Sequence, residues 1–184
     1  LSAKRTAGAQ ALSKAVTAAL AQLAMQAARF AVSLHELDEP AAAGAEQVEF
    51  EVASHPSLPL RPLAKVASGG ELSRISLAIQ LVAAKASPVA TLVFDEVDAG
   101  IGGAVAETIG RSLKRLGKQR QVLCVTHLPQ VAASGDAQWS VSKSPSLKVR
   151  VQRLDRAARI EELARMLGGA EATARRHAAE LLDG

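Results

Sequence analysis

Aromatic residues are nearly absent: three Phe, one Trp and no Tyr make up 2% of the 184 residues. Stacking surfaces for single-stranded nucleic acid need exposed rings. Any contact this chain makes with a polyanion is therefore to phosphates and weakly sequence-specific. The single cysteine, Cys124, excludes an internal disulfide framework and fits a reducing compartment. No apolar run approaches the roughly 18 residues that span a bilayer, and the polar, Ala-rich N-terminus carries no signal-peptide core. The chain begins at Leu1 rather than Met, so it reads as a processed or excised piece of a longer one. What is present is a globular composition, 48% apolar and 22% charged, long enough for one domain with a sizeable core. The formal net charge is +4 and the isoelectric point about 9.6, a slightly basic surface that suits solvation or a polyanion.

Periodicity organises the chain. Residues 3–29 read as one long helix, with Leu12, Val16, Leu20, Leu23 and Ala27 at three- and four-residue spacing. No proline interrupts it, and the narrow Ala-rich stripe suits packing along one partner helix. Residues 30–34 and 48–52 alternate with period two and predict two half-buried strands, joined by a Pro/Ala/Gly loop over 38–45. Residues 55–62, with three prolines, predict a loop. A helix follows Gly69-Gly70, through Leu72, Ile75, Leu77, Ile79 and Leu81, and ends near Lys85 before Pro88. Two continuous apolar runs, 91–94 and 121–125, predict strands buried on both faces of a parallel sheet, with 101–116 as the crossover helix between them. A hairpin around Ser144-Pro145 and two closing helices, 160–167 and 172–182 around Gly168-Gly169, complete the chain, and there are no internal repeats.

The polar residues sit at the ends of these elements. The first apolar strand ends in Asp95-Glu96, and ligands bind at the carboxyl ends of strands in open α/β sheets. One acid there can hold Mg²⁺, and the next can orient or deprotonate a water molecule; a pair of solvated loop acids, or a helix cap, would look the same. The second strand ends in Thr126-His127, so if the two strands are neighbours, Asp95, Glu96 and His127 converge on one sheet edge. Asp98-Ala99-Gly100-Ile101-Gly102-Gly103 lets backbone approach another surface closely, or simply starts a helix with Asp98 near its cap. Ser68-Gly69-Gly70 places uncovered N–H groups and a positive helix end outward, an anion cradle suited to phosphate, or a plain Ser/Gly cap.

In combination these segments are more specific. An SGGE, a helix, an apolar strand ending DE, a D-x-G and an apolar strand ending TH form an ordered set that resembles the motifs of ABC-type ATPases. Ser68, Gly69, Gly70 and Glu71 resemble the signature motif, 92–96 Walker B, Asp98 the D-loop aspartate and His127 the switch histidine. Within that superfamily, "KVASGGELSRISLAI", "FDEVDAGIGG" and "VTHLPQVAASGD" resemble the RecN family of bacterial SMC-like DNA repair proteins. "ALAQLAMQAARFAVSL" resembles the end of that family's returning coiled-coil arm and the strand entering its head. Ala67 before Ser68, and "THLPQVA", favour this family over the SMC, RecF-like and transporter branches.

No G-x-x-x-x-G-K-[ST] occurs anywhere, so the main cradle for β- and γ-phosphates is missing. The resemblance therefore implies an α/β fold that is part of an ABC-type head: a parallel-sheet core flanked by helices, with a long N-terminal helix from a coiled-coil arm. Residues 1–29 would be the end of the arm and 30–184 the C-terminal half of the head. It implies a DNA double-strand-break repair ATPase, cytoplasmic and nucleoid-associated, with ATP and Mg²⁺ as cofactors. The implied partners are an N-terminal half-head carrying Walker A, a second head in an ATP-sandwiched homodimer, and DNA, with no membrane. Ser68, Gly69, Gly70 and Glu71 would close on ATP held by the other head. Asp95 would hold Mg²⁺ through water, Glu96 would orient the attacking water, His127 would sense the γ-phosphate, and Asp98 would lie at the dimer contact. Two basic groups, Arg111, Lys114, Arg115, Lys118 and Arg120, and Arg156, Arg159, Arg165, Arg175 and Arg176, are candidates for DNA or solvated helix faces. A fragment of this kind is expected to lack ATPase activity alone and to expose apolar surface where partner strands are missing. A structural module whose SGGE and DE segments are only caps is the alternative from another class.

Overall fold

Alternation in the sequence becomes pairing in space. The computed structural model describes residues 1–66, 68–84, 89–143, 148–169 and 171–184. The chain divides into two compact units, residues 1–90 with 94–97, and residues 91–93 with 98–184.

The first unit opens with helix α1 (Ser2–Gln22), which packs on strand β1 (Arg29–Ala41) and helix α2 (Gly69–Ala83). Strand β1 pairs antiparallel with β2 (Gly44–Ala53), with Phe30 opposite Val52, Val32 opposite Phe50 and Leu34 opposite Val48. The predicted alternation thus gives one shared apolar face, on which the Phe30 and Phe50 rings meet edge to face with centroids 5.4 Å apart. A two-residue strand β3 (Arg61–Pro62) pairs with the other edge of β2, and a single 3₁₀ turn (Leu63–Lys65) follows. Strand β1 is an edge, and α1 covers it: Thr17 Oγ1 accepts from Phe30 N–H (3.0 Å) and donates to Phe30 C=O (3.2 Å), while Ser13 Oγ accepts from Val32 N–H (2.9 Å). These hydroxyls satisfy ladder groups that a neighbouring strand would otherwise take.

Two expectations change here. The long helix ends at Gln22 rather than at residue 29, and the chain leaves it through Ala24 at φ +59°. The stripe continued past the helix because the turn buries Leu23, Met25 and Ala28 as well. The loop over 38–45 shrinks to Ala42-Ala43, with a register shift between Glu36 and Ala41 absorbing the proline and Gly44 at φ +123° leaving the turn. The expected end of α2 near Lys85 falls outside the described residues.

The second unit contains the first three residues of strand β4 (Thr91–Phe94), then α3 (Gly103–Gly117), β5 (Gln121–Cys124), α4 (Pro129–Ala133), β6 (Gln138–Lys143), β7 (Val149–Leu154), α5 (Arg156–Met166) and α6 (Ala172–Asp183). Strands β4 and β5 pair. Their first residues meet through Thr91 Oγ1 and Gln121 Oε1 at 3.1 Å, which sets the strand starts side by side, the arrangement of a parallel pair. Strands β6 and β7 form the expected antiparallel hairpin, whose tip, with Ser144-Pro145, lies outside the described residues. Helices α5 and α6 close on each other through buried Leu163, Ala164 and Ala178.

The expectation that residues 91–94 and 121–125 are buried on both faces is corrected. Val93 is 68% exposed and Val125 63%, with Leu123 also exposed, so one side of the β4–β5 pair is uncovered. The hairpin shows the same imbalance. Trp139, Val141, Val149 and Val151 share one face by register, and all four are exposed. Among the described residues no helix is long and apolar enough to cross a membrane.

Candidate nucleotide site

In the first unit the site is the start of α2. Ser68 is its N-cap, and Ser68 Oγ accepts from Glu71 N–H at 3.3 Å. That bond uses a lone pair, so the hydroxyl proton remains available to a ligand oxygen. Gly69 follows without a side chain over the first N–H groups, and both Ser68 and Gly69 are exposed. The Glu96 carboxylate lies against this turn: a Cβ built on Gly69 would come within 2.5 Å of Glu96 Oε2. An anionic group therefore already rests at the positive end of the helix, which is the chemistry a phosphate would bring. Glu96 itself holds a left-handed backbone, φ +55°, unusual for a residue with a side chain of this size. Ser73 Oγ, one turn into α2, donates to the Asp95 carbonyl and ties the acid pair to α2.

In the second unit the site is the polar ends of the strand pair. Asp98 is only 2% exposed, and its Oδ2 accepts from the Thr126 hydroxyl and from His127 N–H at 3.1 Å. Nδ1 of His127 lies 3.4 Å from the same oxygen, while the imidazole remains 69% exposed. Thr126 Oγ1 in turn accepts from Leu128 N–H at 3.1 Å, the N-cap residue of α4.

The structure thus brings together Ser68, Gly69, Glu71 and Glu96 in one unit, and Asp98 and His127 in the other. Asp95 joins the first group through its backbone. Sequence reasoning missed Ser73 and Thr126 as members of the two groups. Their signals are small: a hydroxyl one turn after SGGE, and a hydroxyl directly before the histidine.

The basic clusters resolve into partners. Arg111 pairs with Glu107 and Lys114 with Asp136. Arg156 pairs with Asp183 (2.8 Å), Arg165 with Glu162 (2.7 Å) and Arg175 with Glu161 (2.8 Å). The hydrogen bonds from Arg165 hold the Glu162 carboxyl below the usual glutamate range. Arg159 donates to the carbonyls of Ala132 (3.4 Å), Ala133 (3.3 Å) and Gly135 (2.8 Å), closing the C-terminal end of α4, and its partial burial lowers its pKa. Among the described residues no three His, Cys, Asp or Glu side chains gather as a metal cluster.

No protein-family model matches the chain. It is 50% identical over 184 residues to the DNA repair protein RecN of Xylella fastidiosa (strain Temecula1), covering 97% of this chain and 33% of that protein. It is 47% identical over 196 residues to RecN of Streptomyces coelicolor, covering 97% of this chain and 34% of that one. The chain therefore spans about a third of the curated relatives it matches. Among solved structures, an Smc head domain with coiled coil and joint from Pyrococcus yayanosii superposes with a TM-score of 0.63 at 21% identity, over 88% of this chain and 30% of that chain. A structure from work on ATP-driven dimerization and DNA-stimulated activation of SMC ATPases gives 0.54 at 21% identity, over 90% of this chain and 95% of that chain. At these identities the likeness shows the fold, which is that of part of an SMC head.

Proposed function

We propose, on the premise that this chain is RecN-like along nearly its whole length, that it is the C-terminal part of an SMC-like DNA repair ATPase. Its role is to supply the signature motif, Walker B acids, D-loop and switch histidine to ATP-driven head dimerisation and hydrolysis. Residues 1–29 belong to the end of a coiled-coil arm and 30–184 to the head. Walker A comes from an N-terminal segment of the same protein, which is a cytoplasmic, nucleoid-associated one. The uncovered apolar face of β4–β5 is where that segment packs.

The observation that carries this reading is the start of α2, where Ser68 and Gly69 are exposed at a positive helix end; the Glu96 carboxylate that lies against Gly69 must withdraw when a phosphate enters. The residues fit the cofactors. Ser68 offers a hydroxyl, and Gly69 and Gly70 offer backbone N–H groups, to a γ-phosphate bound by the opposing head. Asp95 would hold Mg²⁺ through water. MgATP supplies the phosphoanhydride. Glu96 orients the attacking water and His127 meets the γ-phosphate; Asp98, expected at the dimer contact, is only 2% exposed and its Oδ2 accepts from Thr126 and His127, so its part in linking the two sites runs through His127. For DNA, the last turn of α3 is the better candidate through Arg115, since Lys114 is paired with Asp136. The arginines of α5 and α6 are largely engaged with Asp183, Glu162, Glu161 and the α4 carbonyls.

The test uses the full-length protein. Glu96→Gln keeps the shape and removes the base, so it should trap an ATP-bound dimer and lower kcat by at least 100-fold. Ser68→Arg should leave ATP binding to the monomer intact and abolish ATP-dependent dimerisation in light scattering. Parental turnover by Glu96→Gln, or unchanged dimerisation by Ser68→Arg, would overturn the roles assigned here.

A further inference from the structure

We infer that Thr126 is a positioning residue for His127, acting through the buried carboxylate of Asp98. The inference rests on the functional reading above for the histidine's task, but its geometry stands on its own. A carboxylate 2% exposed needs donors to remain buried, and here two come from one short segment, the Thr126 hydroxyl and the His127 N–H, while the His127 Nδ1 edge lies 3.4 Å from the same oxygen. The Thr126 hydroxyl is used in both directions, donating to Asp98 and accepting from Leu128 N–H at 3.1 Å. It therefore bridges the residue before the histidine to the residue after it. The backbone of His127 is held on both sides while its ring stands 69% exposed.

The consequence is directional. With Nδ1 turned to the Asp98 carboxylate, the ring's N–H is drawn to Nδ1, and Nε2 is the nitrogen presented to a ligand. A threonine hydroxyl that fixes the carboxylate also fixes that choice, in the way a group behind a ligating histidine sets its tautomer. The α2 site carries no comparable unit: its serine caps a helix by itself.

The experiment compares Thr126→Val, which keeps the shape and loses the hydroxyl, with Thr126→Ser, which keeps the hydroxyl, in the full-length protein. Thr126→Val should lower kcat for ATP 10- to 100-fold with KM changed less than threefold, and Thr126→Ser should stay within threefold of the parent. In a His127→Ala background, Thr126→Val should add no further loss, because its effect passes through the ring. Parental kcat in Thr126→Val, or a further loss in the His127→Ala background, overturns the inference. A tautomer measurement separates this failure from failure of the ATPase reading. In the same protein with ¹⁵N-labelled histidine, His127 should show the Nδ1–H form in the parent and in Thr126→Ser, and should shift toward Nε2–H in Thr126→Val. A parental Nε2–H ring overturns the inference whether or not ATP is hydrolysed. If Thr126→Val does not fold, Asp98→Asn replaces it in the tautomer measurement, with the same shift expected and an unchanged ring overturning the inference.

Discussion

Two glycines show how the same substitution has different costs. An alanine Cβ at Gly69 would lie 2.5 Å from Glu96 Oε2, the far end of a flexible side chain that can swing aside. Helix starts accept alanine, so Gly69→Ala should change stability by less than about 1 kcal/mol, though it evicts the carboxylate from the helix end. At Gly110, inside α3, the new Cβ would lie 3.0 Å from Ser134 Cβ and 3.1 Å from the Gln130 carbonyl of α4. Backbone cannot step aside. Helix propensity would favour alanine by about 1 kcal/mol, but overpacking costs about 1–3 kcal/mol, and the clash wins. Gly110→Ala should lower Tm by a few degrees while Gly69→Ala melts close to the parent. The reverse order in a thermal scan would contradict the close approach of α3 to α4. At this scale the sequence was most legible in where its polar motifs fall: SGGE, DE, D-x-G and TH all stand at element ends. It was least legible where one hydroxyl does two jobs, as at Thr126, because a threonine at the end of a β-branched run looks like part of the strand.

Among the elements, α1 is the one whose limits the sequence concealed. An Ala-rich segment without Gly or Pro after residue 8 contains no stop signal, and Leu23 is buried whether or not the helix continues. What ends the helix is tertiary: the chain must double back so that β1 can lie along α1, and Ala24 takes a left-handed conformation to do it. Strand β1 then depends on α1 for its edge. Ser13→Ala with Thr17→Val removes three hydrogen bonds between helix and strand, each contributing about 1 kcal/mol. The variant should lose roughly 2–3 kcal/mol, and amide exchange should rise at Phe30 and Val32 first. Uniform acceleration across β1 and β2 would mean that the hydroxyls do not hold the edge. The strands themselves were readable because period two in 30–34 and 48–52 maps directly onto the Phe30–Val52 and Val32–Phe50 pairs. The loop between them is shorter than the Pro/Ala/Gly stretch over 38–45 predicts. An edge strand tolerates the proline at a register shift, and only the glycine stands at the turn.

For the whole molecule, the decisive feature is how much apolar surface has no cover. The exposed side of β4–β5 carries Val93, Leu123 and Val125, and one face of the β6–β7 hairpin carries Trp139, Val141, Val149 and Val151, with Val141 at 71% exposure. Strand-forming runs as apolar as 91–94 and 121–125 are read as doubly buried because nothing local in a sequence says whether a covering layer is present. On the proposed reading, the cover and the Walker A segment would both come from an N-terminal half. Two properties of the isolated chain then go together. It should hydrolyse ATP at no more than the background rate, since no residue run here cradles the β- and γ-phosphates. It should also bind a dye such as ANS through the uncovered strands and self-associate as concentration rises. Adding the N-terminal half of the protein should quench the dye and restore turnover in the same titration, because one surface serves both. Dye release without turnover would leave the cover in place and remove the catalytic reading. Turnover by the chain alone, in a preparation that an inactive Glu96→Gln control shows to be clean, would remove the split-site reading.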